Sequence, residues 1–159
     1  MSMKTQGTQL YTIDPDTQQV LKVAGVLSIE GIDSPNSEIE DTTLEERVAK
    51  KFKAGLAEPG TATFGVNFDS TTAAHVRLHE LKKQGVTLPW ALGFSDGFDI
   101  APTVTGGEFE LPDTRTWIDF QGHLAAYPFN FTQNAFVGSS IGIRMSGEVN
   151  VTPKVIPGP

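Results

Sequence analysis

Two histidines, His75 and His79, stand four residues apart in DSTTAAHVRLHELKKQG (residues 69–85), with Glu80 beside the second. On a helix that spacing brings both imidazoles to one face, where they could share a metal ion. A zinc protease also needs a glutamate directly after the first histidine as general base, and position 76 is valine. No third ligand is evident, so the pair reads as part of a solvated helix face. The carboxylate pairs Asp96 with Asp99 and Glu108 with Glu110 are those that general acid–base chemistry would recruit. Both lie among glycines and prolines, where exposed acids are ordinary.

The G-x-S-x-G and G-x-x-x-x-G-K-[ST] patterns are absent. With no cysteine, the chain has no thiolate nucleophile, thiolate metal cluster or disulfide. Asn130-Phe131-Thr132 and Asn150-Val151-Thr152 match the glycosylation sequon, and without a secretory signal they read as chance matches. No catalytic constellation emerges, no cofactor or metal is implied, and the chain is expected not to be an enzyme.

The elements that position these residues belong to a mainly β chain. Its 159 residues suffice for a single domain over 1–159, with a core that removes roughly 70% of the unfolded surface from water. Sixteen glycines and ten prolines favour turns and strands over helices. The start, MSMKTQGTQLYTIDPDT, lacks the apolar run of a signal peptide, and no stretch has the eighteen apolar residues of a membrane span. We therefore expect a chain without a membrane anchor, kept in the cytoplasm unless exported. A net charge of -7 and a pI near 4.8 argue against nonspecific attraction to nucleic acid, which needs clustered Lys and Arg.

After a polar N-terminal arm over about 1–17, QQVLKVAGVLSIEGI (18–32) reads as a strand and IDSPNSE as a turn. TATFGVNF (61–68) puts Ala62, Phe64, Val66 and Phe68 on one face and Thr61, Thr63, Gly65 and Asn67 on the other. The period then lengthens to that of a helix over about 70–84. Asp69 and Ser70 signal its start, Gly85 its end, Ala74, Leu78 and Leu81 its buried stripe, and Lys82 and Lys83 suit its C-terminal dipole.

Residues 86–98 read as a strand ending in the turn Ser95-Asp96-Gly97, and 101–115 as loop. TWIDFQGHLAAYPFNF reads as strands with Gly122 and Pro128 as interruptions. From Val137 to Val151 one long strand is expected, bent at Gly147. Ile141, Ile143 and Met145 mark its apolar face, and Ser140, Gly142, Arg144, Ser146, Glu148 and Asn150 its small polar face. An irregular tail follows over about 153–159.

One segment fits no strand: EIEDTTLEERVAKKFKAGL (38–56), acids first and bases second. Asp41 could cap a helix with Leu44, Val48 and Phe52 at helical spacing, while the threonines and flanking glycine and proline make an extended arm nearly as plausible. Either way, mixed charge and apolar residues too few for a core describe a segment that orders against a partner.

In order and local wording the chain resembles the tail tube (major tail) proteins of long, flexible-tailed bacteriophages. SIEGIDSPNSEIEDTTLEERVAKKFKAGLAEPGTATFGVNFD is similar to that family's strand, acidic Asp-Thr-Thr loop, Gly-Leu-x-x-Pro-Gly turn and following strand. TTAAHVRLHELKKQG resembles its single helix, PWALGFSDG its next strand and turn, and NAFVGSSIGIRMSGEVNVTP its closing strand. The resemblance implies a β-sandwich or barrel-like fold flanked by one helix, with subunits joined edge to edge into hexameric rings. These would stack into a tube that conducts the genome from virion to host.

On that reading 33–57 is an assembly loop. Glu38, Glu40, Asp41, Thr42, Thr43, Leu44, Glu45, Glu46, Val48, Lys50, Lys51, Phe52 and Lys53 would meet neighbouring subunits. Thr61, Thr63, Asn67, Ser140, Gly142, Arg144, Ser146, Glu148 and Asn150 would line the lumen. Implied partners are further copies of the chain, the tape-measure protein, and tail tip and tail terminator proteins. Genome DNA would pass without specific binding, and the protein would reside in the host cytoplasm before assembly. A secretion-system inner tube of related fold and a standalone β-sandwich binding module are the alternatives. The second should display an aromatic platform, whereas Trp90 and Trp117 both lie in apolar strand contexts.

Overall fold

Alternating apolar and polar residues build most of the molecule into one antiparallel sheet. The computed structural model describes residues 2–155. Its strands are β1 (Gln9–Asp14), β2 (Gln19–Val23), β3 (Val26–Glu30), β4 (Asn36–Glu40), β5 (Phe52–Ala57), β6 (Thr61–Asn67), β7 (Thr87–Gly93), β8 (Thr103–Thr105), β9 (Glu108–Glu110), β10 (Trp117–Ala126) and β11 (Gly138–Thr152). The helix α1 (Ala73–Gln84) lies between β6 and β7. Seven strands pair in the order β2-β1-β7-β10-β11-β6-β3, while β4-β5 and β8-β9 form separate hairpins.

The two edges of the seven-stranded sheet, β2 and β3, are consecutive in sequence and joined only by Ala24 and Gly25. The sheet must therefore curl until its edges approach at that turn, giving a barrel-like body with one seam that backbone hydrogen bonds do not close. Every one of the seven strands contributes to the enclosed core. Leu10, Val23, Phe64, Val66, Trp90, Phe120, Leu124, Ile141, Ile143 and Met145 are buried together, with Val26 and Ile29 packed against them. Leu78 and Leu81 of α1 enter the same cluster, and Trp90 donates its indole N–H to Gly122 O at 3.0 Å.

The helix starts at Ala73 rather than at 70, because Asp69 organises the preceding turn. Its carboxylate accepts from Thr71 N–H, Thr71 Oγ1 and Thr72 Oγ1, and Thr72 takes the N-cap position. Gly85 ends the helix in the left-handed region (φ +66°), its N–H bonded to Leu81 O. Ala74, Leu78 and Leu81 are buried as the spacing predicts, and His75 is buried with them.

Several expectations need correction. The supposed arm over 1–17 contains β1, which is buried throughout and lies between β2 and β7. Covered on both faces, QLYTID has no exposed face to generate an alternation. The single strand expected over 18–32 is two strands, broken where Gly25 adopts φ +75°. The loop expected over 101–115 contains the β8–β9 hairpin, whose Gly106-Gly107 turn has positive φ at both residues, as a type I′ turn requires. That hairpin lays Phe109 and Leu111 over Tyr11, Ala91 and Trp117 on the outer face of the sheet.

The long final strand holds as expected and bends at Gly147 (φ +80°). Asp119 pairs with Asn150 and Gln121 with Ser146, so β11 spends two more residues than β10 across the bend.

Gly122 is a packing requirement rather than an interruption, since β10 runs through it. A Cβ there would lie 2.6 Å from Arg144 O and 2.7 Å from Ile143 Cγ2. Gly122→Ala is expected to cost about 1–3 kcal/mol by chemical denaturation, the usual cost of overpacking a tight site.

On the helix surface Arg77 grips Asp14 with two hydrogen bonds, of 2.9 and 3.0 Å, and also reaches Glu80. The hydrogen bonds from Arg77, opposed by burial, hold the Asp14 carboxyl below its ordinary value of 3.8. A depressed carboxyl contributes stability above its unfolded pKa and loses it as pH falls through the folded one. Arg77→Ala should therefore destabilise the protein at pH 7, with the difference from the parent shrinking below about pH 4. Urea unfolding at a series of pH values measures it.

Candidate functional site

The chemistry-bearing pairs are occupied structurally. His75 is not on a solvated face: Nδ1 accepts from Asp69 N–H at 3.0 Å and Nε2 donates to Ala24 O at 2.5 Å, fastening α1 to the β2–β3 turn. His79 packs against the rings of Tyr127 and Phe129, with centroids 5.4 and 5.7 Å away. Among the described residues no cluster of three or more His, Cys, Asp or Glu could hold a metal.

Asp96 accepts from Thr116 N–H and Oγ1, whereas Asp99 turns to Gln9, accepting its amide N–H. Burial works to raise the Asp96 pKa, but the Thr116 hydrogen bonds and Lys154 more than offset it and the carboxyl lies below its ordinary value. Such a group is an anchor rather than a proton donor near neutral pH. Glu108 and Glu110 are exposed on β9, Glu110 accepting from Thr103 Oγ1.

What remains is surface, and two parts of it are unusual. The first is residues 36–57, where β4 and β5 form a hairpin standing apart from the main sheet. The segment is extended, not helical. Asp41 N–H donates to Lys51 O, Lys51 N–H to Thr42 Oγ1 and Glu46 N–H to Thr43 O. Lys51–Glu46 (2.9 Å), Lys53–Asp41 (3.0 Å) and Lys50–Glu40 (4.0 Å) pair its bases with its own acids. Exposed pairs of this kind contribute at most about 1 kcal/mol each. Leu44 and Val48 are fully exposed, and Ile39, Phe52 and Leu56 are exposed along the two strands. Leu44, Val48 and Phe52 thus form no common helical stripe; the hairpin hangs its apolar side chains in solvent.

The second surface is the outer face of β6, β11 and β10. Thr61 lies opposite Arg144, Thr63 opposite Gly142, Gly65 opposite Ser140 and Asn67 opposite Gly138. Ser146 faces Gln121 and Asn150 faces Asp119, so these residues share one side of the sheet. Glu148 sits in the bend and is exposed. Gln121 and His123 of β10 complete the face, since His123 pairs with Arg144. The alternation in WIDFQGHLAA, with Ile118, Phe120, Gly122 and Leu124 inward, is the sequence signal that identifies them.

Comparison with known proteins gives this geometry a context. A family described as phage tail tube, TTP, lambda-like matches residues 1–155. Structural protein 3 of Pseudomonas phage PAJU2 is 48% identical over 157 residues, covering 96% of this chain and 94% of that protein. Among solved structures, the tail of an empty gene transfer agent particle with C6 symmetry aligns over 95% of this chain and 99% of its own (TM-score 0.69, 10% identity). The SPP1 tail tube aligns over 98% and 81% (TM-score 0.65, 8% identity). The family match over residues 1–155, with a phage structural protein 48% identical across nearly the whole of both chains, shows that the chain belongs to the lambda-like phage tail tube proteins, structural components of the bacteriophage tail.

Proposed function

We propose that the chain polymerises as stacked hexameric rings into the conduit through which genome DNA leaves the virion, with residues 36–57 as its assembly arm. The hairpin carries this reading. Five large apolar side chains exposed on a segment outside the main sheet need another molecule to cover them. Within a ring, the outer edges of β2 and β3 offer unpaired backbone groups for edge-to-edge joining, which would remove the exposed edges from the assembled wall. The tape-measure, tail tip and tail terminator proteins are the further partners, and the host cytoplasm is where the subunits wait before assembly.

The outer face of β6, β11 and β10 lines the lumen. Hydroxyl, amide and glycine surfaces there suit a wetted wall, and without clustered cations the wall does not hold phosphates. Negative-stain microscopy of the concentrated protein tests the assembly: hollow tubes or stacked rings are expected, and persistent monomers would count against it. Ser140→Cys and Asn150→Cys test the face, because the chain has no other cysteine. In assembled tubes both thiols are expected to be shielded from bulky external reagents; rapid labelling would assign the face to the exterior.

A further inference from the structure

The hairpin needs a receptor, and the structure offers one at the far end of the sheet. Residues 36–57 leave the body where β3 finishes and β6 begins, their base held by Glu58 N–H donating to Pro35 O and Ser34 Oγ to Gly147 O. At the opposite end β6 finishes at Asn67 and β11 begins at Gly138. There the loop 131–137 protrudes, closed by reciprocal backbone hydrogen bonds between Asn130 and Gly138 and by Phe68 N–H to Val137 O. Phe131 and Phe136 are each 80% exposed on it. A groove of about 520 Å³ beside them is lined by Phe68, Asp69, Ser70, Phe129, Phe131 and Val137.

Charge matches across the two ends. Lys50, Lys51 and Lys53 are paired within their own hairpin, whereas Arg47, beside Val48 at the tip, is in no ion pair among the described residues. The groove carries the Asp69 carboxylate, kept ionised by the hydrogen bonds from Thr71 and Thr72. Two complementary patches at opposite ends of one sheet can meet between successive copies that point the same way. They join head to tail, and that arrangement repeats without closing along the strand direction.

We infer that the aromatic loop 131–137 and its groove receive the hairpin tip of a second copy, with Leu44 and Val48 against Phe131 and Phe136 and Arg47 at Asp69. This assignment rests on the chain being a self-assembling tube subunit and names the surface its arm contacts. Leu44 and Val48 supply the buried apolar area, and the Arg47–Asp69 pair sets the register.

The absence of native cysteine makes the test direct. In Ala49→Cys/Gln133→Cys the apolar contacts are kept, and a short bis-maleimide should give a ladder of covalent dimers, trimers and larger species from assembled tubes, while either single variant gives none. Tubes without a ladder would overturn the receptor assignment and leave tube formation standing. Failure of the unmodified protein to form tubes would overturn the assembly reading beneath it. Phe131→Ser/Phe136→Ser provides a second measurement. It should abolish tubes without lowering the melting temperature of the monomer, and normal tube yield from it would also overturn the assignment.

Discussion

Replacing Arg115 by methionine is expected to destabilise the monomer by about 3–5 kcal/mol, the range for removing one partner from a buried charged network. Arg115 is fully buried, yet no carboxylate neutralises it among the described residues. Its guanidinium instead donates to Phe94 O at 2.7 Å, Ile100 O at 2.8 Å, Gln9 Oε1 at 2.9 Å, and Gly7 O and Gly93 O at 3.0 Å. It also lies 5.1 Å from the centroid of the Trp117 ring, a cation–π contact in a desolvated site.

Those five oxygens come from residues 7–9 at the start of β1, from Gly93 and Phe94 at the end of β7, and from Ile100 in the turn that follows, so one side chain ties together three places in the chain. Methionine fills part of the volume and donates to none of them, leaving buried acceptors without this donor; stranding even two or three of them where water cannot enter accounts for the loss at about 1–3 kcal/mol for one acceptor. Gly93 and Gly97 leave the room: a Cβ at Gly97 would lie 2.6 Å from Arg115 Cβ. Equilibrium urea unfolding of Arg115→Met measures the loss; a change under 1 kcal/mol would mean that water replaces the guanidinium.

The second large effect falls on assembly and spares the monomer. Leu44→Ser/Val48→Ser/Phe52→Ser removes three exposed apolar side chains, each worth roughly 1.5–3 kcal/mol when buried against a neighbour. Even the lower end of that sum, converted at about 1.4 kcal/mol per tenfold, raises the concentration needed for polymerisation by roughly a thousandfold. The monomer should melt at its usual temperature, because none of the three contributes to the core. Sedimentation of polymer over a concentration series, beside a thermal melt of the same sample, separates the two. An unchanged polymerisation threshold would show that the hairpin remains in solvent in the tube.

Where a strand has one covered and one wet face, its sequence announces both. The alternation in TATFGVNF and in residues 137–151 assigned Phe64, Val66, Ile141 and Ile143 to the core, and Thr61, Thr63, Ser140 and Arg144 to the opposite side. The bend at Gly147 was legible for the same reason. The 3.6 period and Gly85 located α1, although Asp69 proved to shape the turn before the helix rather than its first residue.

Strand β1 escaped because both of its faces are covered, and the β8–β9 hairpin because three-residue strands are too short to establish a period. Residues 38–56 were ambiguous because their apolar spacing suits a helix, while their pairing depends on β4 meeting β5 across the long loop between them.

By itself the sequence determined a mainly β chain with one helix, the two faces of its longest strands, the absence of a thiol, and the wording that resembles tail tube proteins. Only the tertiary structure decided that β2 and β3 become the two edges of one curled sheet, that His75 and Arg115 are fasteners, and that hairpin and aromatic loop lie at opposite ends. The physical reason is range. Side-chain alternation is written residue by residue, whereas strand order and the environment of a buried cation depend on residues up to about a hundred positions apart, such as Gln9 and Arg115, which local pattern does not encode.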